Sequence, residues 1–293
     1  MDLAVQGRKR ALKYEGFSDW RTDIQLRHSD GVKVLFVPTM GALHQGHADL
    51  VRAARVQADS IAGEPAEVVV SVFINPTQFN EEQDFATYPM TPDEDVQLVS
   101  EAGADAVVFP TLAEMYPGGV PRAAEPVDYG TLTASLEGEM RPGHFDGVVG
   151  VVRTLFGHTK PQSAFFGEKD WQQLAVVRHL AALEFEGLEV VAVPTRREED
   201  GLAMSSRNRR LSAELRMQAP QLHDALMRVA SDPRPESVKA AKQSLGAAGF
   251  EVEYLAVARA DTLEPGPLRQ GEMRVFAAVR LGGVRLIDNV SCT

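Results

Sequence analysis

A doubly wound parallel α/β sheet with a second, smaller α+β domain is the architecture this sequence predicts, and three observations carry it. Short apolar runs alternate with helically spaced segments up to Val193, the pattern of strands and helices in a parallel sheet. The loops that follow those runs hold glycine, histidine and lysine, at the strand edge where open α/β sheets bind ligands. After Pro194 the pattern gives way to a charged stretch without periodicity, two amphipathic helices and three closing strands. The expected division is 1–194 for the sheet domain and 195–293 for the smaller domain.

Each element has its own local reason. Within the polar N-terminal arm, residues 18–28 read as a helix or an irregular segment. Residues 34–37 (VLFV) are apolar and uncharged, as in a strand buried on both faces. Pro38 is expected to break that strand, and Thr39, Met40, Gly41 and Gly46 to form a loop whose small residues permit close backbone approach. From His47 the spacing of Leu50, Val51 and Ala54 is helical, to about Ser60. Residues 67–74 (EVVVSVFI) make a second buried strand, ending in the polar loop Asn75-Pro76-Thr77-Gln78-Phe79. Residues 92–102 read as a helix, with Asp93, Glu94 and Asp95 favourable in its first turn. Residues 106–109 are a third strand, and Arg141-Pro142-Gly143-His144 is a loop before an apolar helix over about 146–156. A strand at 163–166 leads into Gly167-Glu168-Lys169-Asp170, then a helix over 171–185 and a fifth strand at 188–193. In the second domain, helices are expected over 213–230 and 235–248, and strands over 251–258, 273–279 and 284–289, the last two joined at Gly282-Gly283.

Composition narrows the function. The single cysteine, Cys292, permits no intrachain disulfide, which suits a reducing cytoplasm. No apolar run approaches the roughly 20 residues of a membrane span, and the basic N-terminus lacks the apolar core of a signal peptide. Thirty basic against 41 acidic residues give a net charge of −11, which argues against broad nucleic-acid binding. It leaves room for an anionic small substrate, because a few donors can dominate a cleft.

Three loops carry the candidate chemistry: GALHQGH, GEKD and MSSRN (204–208). His44 and His47 stand at a helix entrance, where unpaired N–H groups favour phosphate. The same strand–loop–helix junction also fits a plain connection, and a histidine pair three apart also fits a metal site, although no HExxH pattern or third ligand accompanies it. Together the loops offer imidazoles, an ammonium, a guanidinium and hydroxyls, the parts that hold a triphosphate and stabilise the charge building on it. Absent are the GxxxxGK[ST] loop of P-loop enzymes, a GxGxxG fingerprint and a GxSxG elbow.

GALHQGH resembles the HxGH signature of the Rossmann-like nucleotidyltransferase and class I aminoacyl-tRNA synthetase superfamily, and MSSRN its mobile KMSKS-type loop. The ordered set VPTMGALHQGH, FINPTQF, RPGHF, FFGEKDWQQL and DGLAMSSRN resembles the pantoate–beta-alanine ligase family from Val37 to Asn208. The resemblance implies ATP-dependent ligation of pantoate and beta-alanine through a pantoyl adenylate, with AMP and pyrophosphate released. It implies ATP as substrate, Mg²⁺ held mainly by the ATP phosphates, no nucleic-acid or membrane partner, a cytoplasmic location and a homodimer. Domain 1–194 would bind nucleotide and pantoate, and 195–293 would carry the lid loop.

Carried over by position, the resemblance places Pro38, Thr39, Met40, Gly41, His44, Gly46 and His47 on the nucleotide, with His47 at the family's proton-donor position. Gly167, Glu168, Lys169 and Asp170 match the nucleotide-binding block, with Lys169 toward phosphate and Asp170 toward ribose or Mg²⁺. Met204, Ser205, Ser206 and Arg207 match the lid, and Arg196 would meet adenine through its backbone. His44, His47, Lys169, Ser205, Ser206 and Arg207 would be the catalytic set. Gln78 and Gln173 would hydrogen-bond pantoate, with Met40, Asn75 and Arg141 beside them, although Asn75 also fits a turn cap and Arg141 a loop anchor. The alternatives are another HxGH nucleotidyltransferase, such as a cytidylyl- or adenylyltransferase, which would want a more basic acceptor site, and a non-catalytic nucleotide-binding relative. The Asp93-Glu94-Asp95 trio overlaps a segment linked with the metal in some family members, and equally reads as a favourable helix start.

Overall fold

The apolar runs rich in valine, phenylalanine and alanine pair side by side and all in one direction. The computed structural model describes residues 10–28, 31–78, 88–121, 123–266 and 272–293, so Phe79 and the first nine residues lie outside what is described. Two units divide the chain: Met1–Val127, Gly143–Gly167 and Val177–Val193 form the first, and Asp128–Pro142, Glu168–Val176 and Pro194–Thr293 the second.

The first unit holds a six-stranded parallel sheet of β1 (Leu12–Tyr14), β2 (Lys33–Thr39), β3 (Ala66–Val72), β4 (Ala106–Val108), β5 (Ser163–Gly167) and β6 (Glu189–Val193). Their spatial order is β1-β4-β3-β2-β5-β6. All five expected strands are present, and β1 adds a sixth at the edge beside β4. Three residues are too few to show a period, so β1 had no sequence signal. From β2 the order runs outward through β3 and β4 on one side and through β5 and β6 on the other. It therefore reverses between β2 and β5, the switch point outside which open α/β sheets bind their ligands.

Strand side chains alternate between faces, and each face finds its own helices. Leu35, Val37, Val68, Val70, Val107 and Phe165 pack with Val51 and Ala54 of the Gln45–Ser60 helix and with Val96 and Val99 of the Pro92–Ala102 helix. On the other face Phe36 and Phe166 each meet Phe156 of the His144–Thr159 helix edge-on, with ring centroids 6.4 Å apart. Helices on both faces make the sheet doubly wound, as predicted.

Pro38 does not break its strand: it lies inside β2, in register with Ser71. The carbonyls of Val34 and Thr39 accept from Gln162 on the β5 side and Phe73 on the β3 side, so Pro38 turns its N–H-less nitrogen toward β5. Pairing with β5 is already over at Phe36, and no ladder bond is lost.

The second unit contains an antiparallel sheet, β7 (Glu251–Arg259), β8 (Met273–Leu281) and β9 (Val284–Ser291), with the expected hairpin at Gly282-Gly283. Val275, Val279 and Leu286 share its core with Leu222, Leu226 and Val229 of the Gln221–Ser231 helix and Leu245 of the Pro235–Ala247 helix. The helix expected over 213–230 is two, Ala213–Gln218 and Gln221–Ser231, because Pro220 has no N–H to continue the ladder. Among the described residues no helix is long and apolar enough to cross a membrane.

Side-chain bonds explain why Asp128–Pro142 and Glu168–Val176 join this unit. Gln172 donates to the carbonyls of Leu132 and Ser135 at 2.9 and 2.8 Å and accepts from the Glu137 N–H at 3.0 Å. Trp171 Nε1 donates to the Ala260 carbonyl at 2.6 Å.

Candidate functional site

In the first unit, Pro38 and Thr39 end β2, and Met40, Gly41, Ala42 and Leu43 lead to His44, the N-cap of the Gln45–Ser60 helix. The loop is tight: Gly41 and Ala42 have φ of +81° and +51°. A Cβ on Gly41 would lie 3.1 Å from Val72 and 3.2 Å from Asp95, so glycine is needed both for its backbone and for its neighbours. Thr39 Oγ1 donates to the Ser71 carbonyl at 2.7 Å.

Asp95 holds this loop from beneath. Its carboxylate, 2% exposed, accepts from the N–H of Ala42 at 3.1 Å, the N–H of Leu43 at 2.8 Å and Thr91 Oγ1 at 3.1 Å. Those bonds stabilise a non-glycine residue at positive φ, a conformation that persists only when its surroundings hold it. Sequence reasoning read Asp95 as a helix-start or metal-linked residue. Its buried partners lie 52 and 53 positions away, beyond any local pattern.

The two histidines cap the helix reciprocally. The Gly46 N–H donates to His44 Nδ1 and the His44 N–H donates to His47 Nδ1, each at 3.2 Å, with ring centroids 4.1 Å apart. A neutral imidazole that accepts at Nδ1 carries its proton on Nε2, so both rings present Nε2–H as donor. The helix N-terminus adds partial positive charge and N–H groups at the same place, an arrangement suited to an anion.

Asn75 and Gln78 lie on the loop after β3. Asn75 is fully buried: Nδ2 donates to the Gly147 carbonyl at 3.2 Å, and Oδ1 accepts from Thr77 and from the Tyr116 hydroxyl. The bond from the Thr77 N–H to Oδ1 fits the turn-cap alternative for Asn75. Gln78 closes the turn Pro76–Gln78, and its carbonyl lies 3.3 Å from Nδ1 of His144, the histidine of the RPGHF motif. A Cβ on Gly147 would sit 2.4 Å from the Thr77 carbonyl oxygen, so the helix reaches this loop only because position 147 is glycine.

The second unit holds Arg141, Glu168, Lys169, Asp170, Gln173, Arg196, Met204, Ser205, Ser206 and Arg207. Glu168–Asp170 form one turn of 3-10 helix, and Lys169 Nζ lies 3.7 Å from Asp170. Gln173 is half-buried, whereas its neighbour Gln172 is a buried staple. The Arg196 carbonyl accepts from the Met204 N–H at 2.9 Å, closing a small antiparallel loop with the Arg197–Ala203 bridge. Ser205 caps the Ser206–Arg210 turn by accepting from the Arg207 N–H at 3.3 Å, and Asn208 Nδ2 donates to the Ala203 carbonyl at 3.1 Å.

Arg141 belongs to a buried charge network. Glu137 accepts both Arg285 nitrogens at 2.7 Å and the Tyr254 hydroxyl at 2.7 Å, and lies 3.5 Å from Arg141. Burial first, then the charges of Arg285 and Arg207, pull the Arg141 guanidinium below its ordinary value, with Glu137 opposing. Arg141 and Arg207 therefore feel each other's charge, an arrangement suited to an anion. Burial alone would raise the Glu137 carboxyl, but the two hydrogen bonds from Arg285 and its charge outweigh it and bring the value down from 4.5 to about 2.

That shift sets a pH dependence. The depressed carboxylate contributes stability above pH 4.5, and loses it as pH falls toward about 2. Glu137→Gln is expected to lower stability near neutrality by up to about 3 kcal/mol, with the difference from wild type closing on acidification. Urea unfolding midpoints of both proteins over that range measure it. A gap independent of pH contradicts the charge assignment.

Among the described residues no three His, Cys, Asp or Glu side chains gather as a metal cage. A profile of pantoate-beta-alanine ligases matches residues 13–291. The chain is 46% identical over 279 residues to a pantothenate synthetase of Cereibacter sphaeroides, covering 93% of this chain and 94% of that one. It is 44% identical over 264 residues to a pantothenate synthetase of Acidiphilium cryptum, covering 88% and 91%. Among solved structures it is similar to pantothenate synthetase from Thermus thermophilus, with a TM-score of 0.83, 42% identity and 96% and 99% of the two chains covered. It is also similar to the pantoate-beta-alanine ligase of Francisella tularensis complexed with beta-gamma ATP and beta-alanine, with a TM-score of 0.76, 30% identity and coverage of 96% and 97%.

Proposed function

This chain belongs to the pantoate-beta-alanine ligase family, and on that premise we propose how its residues carry out the reaction. The chain ligates pantoate to beta-alanine with ATP. A carboxylate is a poor acylating agent, so the pantoate carboxylate oxygen first attacks the α-phosphorus of ATP. The bond from that phosphorus to the bridging oxygen breaks, and pyrophosphate leaves with its electrons. The beta-alanine amine then attacks the acyl carbon of the pantoyl adenylate, the carbon–oxygen bond to AMP breaks, and the amine loses a proton.

The pantoate carboxylate is already ionised at neutral pH, so the first step requires no dedicated base. It requires donors that relieve repulsion between carboxylate and triphosphate and that hold the attack in line. The observation that carries the reading is the reciprocally capped His44–His47 pair, at the helix start beyond the switch-point strand β2. In the first unit, His44 and His47 meet phosphate through Nε2–H, the backbone from Pro38 to Gly41 and at Gly46 meets the nucleotide, and Gly167 ends the strand that leads to the phosphate-binding turn. Gln78 and Met40 meet pantoate, and Asn75 holds the loop beside them.

In the second unit, Lys169 directs its ammonium to phosphate, Ser205, Ser206 and Arg207 to the leaving pyrophosphate, and Glu168 holds the turn. The Arg196 backbone and Met204 border the nucleotide, while Gln173 and Arg141 face the acid substrate. A Mg²⁺ ion, if carried by the triphosphate oxygens with Asp170 as its protein contact, would offset negative charge at the leaving group. We also propose a homodimeric state and a cytoplasmic location, which light scattering and cell fractionation read directly.

The expected result is pantoate-dependent exchange of pyrophosphate into ATP without beta-alanine, with AMP released only once beta-alanine is added. Exchange that is independent of pantoate, or absent, contradicts the adenylate route.

A further inference from the structure

Lys169 sits on a turn of only three residues, too short to hold a direction by its own hydrogen bonds. The turn is held from β9. Asn289 Nδ2 donates to the carbonyls of Glu168 and Lys169, both at 2.9 Å, while Oδ1 accepts from Arg274 Nε. Arg274 in turn donates to Glu168 at 3.1 Å and lies 3.6 Å over the ring of Trp171, the residue after the turn. Asn289 is 4% exposed, so these bonds form away from competing water.

One amide with two N–H donors and one acceptor satisfies all three partners, and a carboxylate of the same shape lacks the donors. Its neighbour Asp288 accepts the Arg197 guanidinium at 2.7 and 3.0 Å, and Arg197 opens the small loop that ends at Met204. Two successive residues of β9 thus seat the Lys169 turn and the base of the Ser205–Ser206–Arg207 segment.

We propose that Asn289 is a positioning residue of the ligation: by holding the carbonyls of Glu168 and Lys169, it sets the direction in which the Lys169 ammonium is presented. The inference rests on the reading of Lys169 as the phosphate-directed cation. Asn289 touches no substrate and acts through the turn, so its removal lowers turnover by disorienting a group that is still present.

The test compares pantoate-dependent pyrophosphate exchange and net ligation in wild type, Asn289→Ala, Asn289→Asp, Lys169→Ala and the double variant Lys169→Ala/Asn289→Ala, with thermal melts alongside. Asn289→Ala is expected to lower kcat of exchange by about 10-fold or more, the scale for a misplaced catalytic group, with KM for beta-alanine unchanged. Asn289→Asp keeps the acceptor for Arg274 but not the donors, and is expected to be as slow. In the Lys169→Ala background the second substitution is expected to add no further loss. Wild-type rates in Asn289→Ala, recovery in Asn289→Asp, or a full additional loss without Lys169 each overturn the proposal. Should Asn289→Ala fail to fold, Asn289→Leu keeps the volume of the side chain without either donor, and a rate equal to wild type in it overturns the proposal as well. Wild-type protein without pantoate-dependent exchange sinks the ligase reading instead, and near-normal Lys169→Ala sinks the role of Lys169, so the failures are distinguishable.

Discussion

Lys169→Ala is expected to reduce turnover by at least about 10², the scale for losing one preorganised donor to charge that develops in the transition state. The Lys169 side chain is 19% exposed, on a turn held at the carbonyls of Glu168 and Lys169 by Asn289, so it is already partly desolvated before ATP arrives. A preorganised cation requires little reorganisation as charge builds on the leaving pyrophosphate, and a 10² effect corresponds to about 2.7 kcal/mol of barrier. Because that charge grows during the first half-reaction, pyrophosphate exchange and net ligation should fall together. Stopped or quenched single-turnover measurement of pyrophosphate release separates this from slow product release. A folded variant with a near-normal rate removes Lys169 from the chemistry.

His47→Ala is expected to cost a similar factor of at least about 10² in turnover, for a different structural reason. His47 Nδ1 already accepts the His44 N–H, so the ring's orientation and its Nε2–H are set by the cap itself. Alanine removes the proposed phosphate donor and one helix-cap bond at once, and losing such a cap lowers stability by about 0.5–2 kcal/mol. Thermal melting of the variant therefore accompanies the kinetics. His47→Gln restores an N–H donor without a titrating ring, and partial recovery by it is expected if the residue acts electrostatically. No recovery by glutamine, with a pH profile that loses a limb, would assign His47 a proton-transfer role instead.

Much of this molecule could be read from its letters. The buried strands at 34–37, 67–74 and 163–166 are apolar runs, with Glu67 the one charged residue, bounded by loop residues, and each lies within or over a strand of the sheet. The 92–102 helix matches its predicted bounds because Pro92 opens it and Gly103, at φ of +106°, closes it. Local signals failed where length or context ruled. Leu12–Tyr14 is a strand only because the edge of β4 accepts it, and Pro38 stays in its strand because β5 has already ended its pairing there.

The site divides the same way. His44 and His47 stand out as candidates because a cap and a signature motif are both local, and Lys169 because GEKD follows a strand end. Gln172 and Gln173 look alike in sequence, yet one staples three backbone groups and the other stays half-buried. Asp95, Glu137 and Asn289 each have a nearer partner in Thr91, Arg141 and Arg274, but their other partners at Leu43, Arg285 and Glu168 lie 52 or more positions away and leave no local sign.

By itself the sequence determined the alternation of buried strands and helices, the loops proposed for the chemistry, and the family to which the chain belongs, since all of these depend on short-range periodicity and contiguous motifs. Only the tertiary structure decided the strand order with its reversal beside β2, and which carboxylates and amides hold the candidate loops. It also decided that Asp128–Pro142 and Glu168–Val176 join the second unit. The reason is physical. A buried donor or acceptor must be satisfied by whatever group the fold brings within about 3 Å, and that partner is chosen by packing across the chain, leaving no trace in the residues on either side.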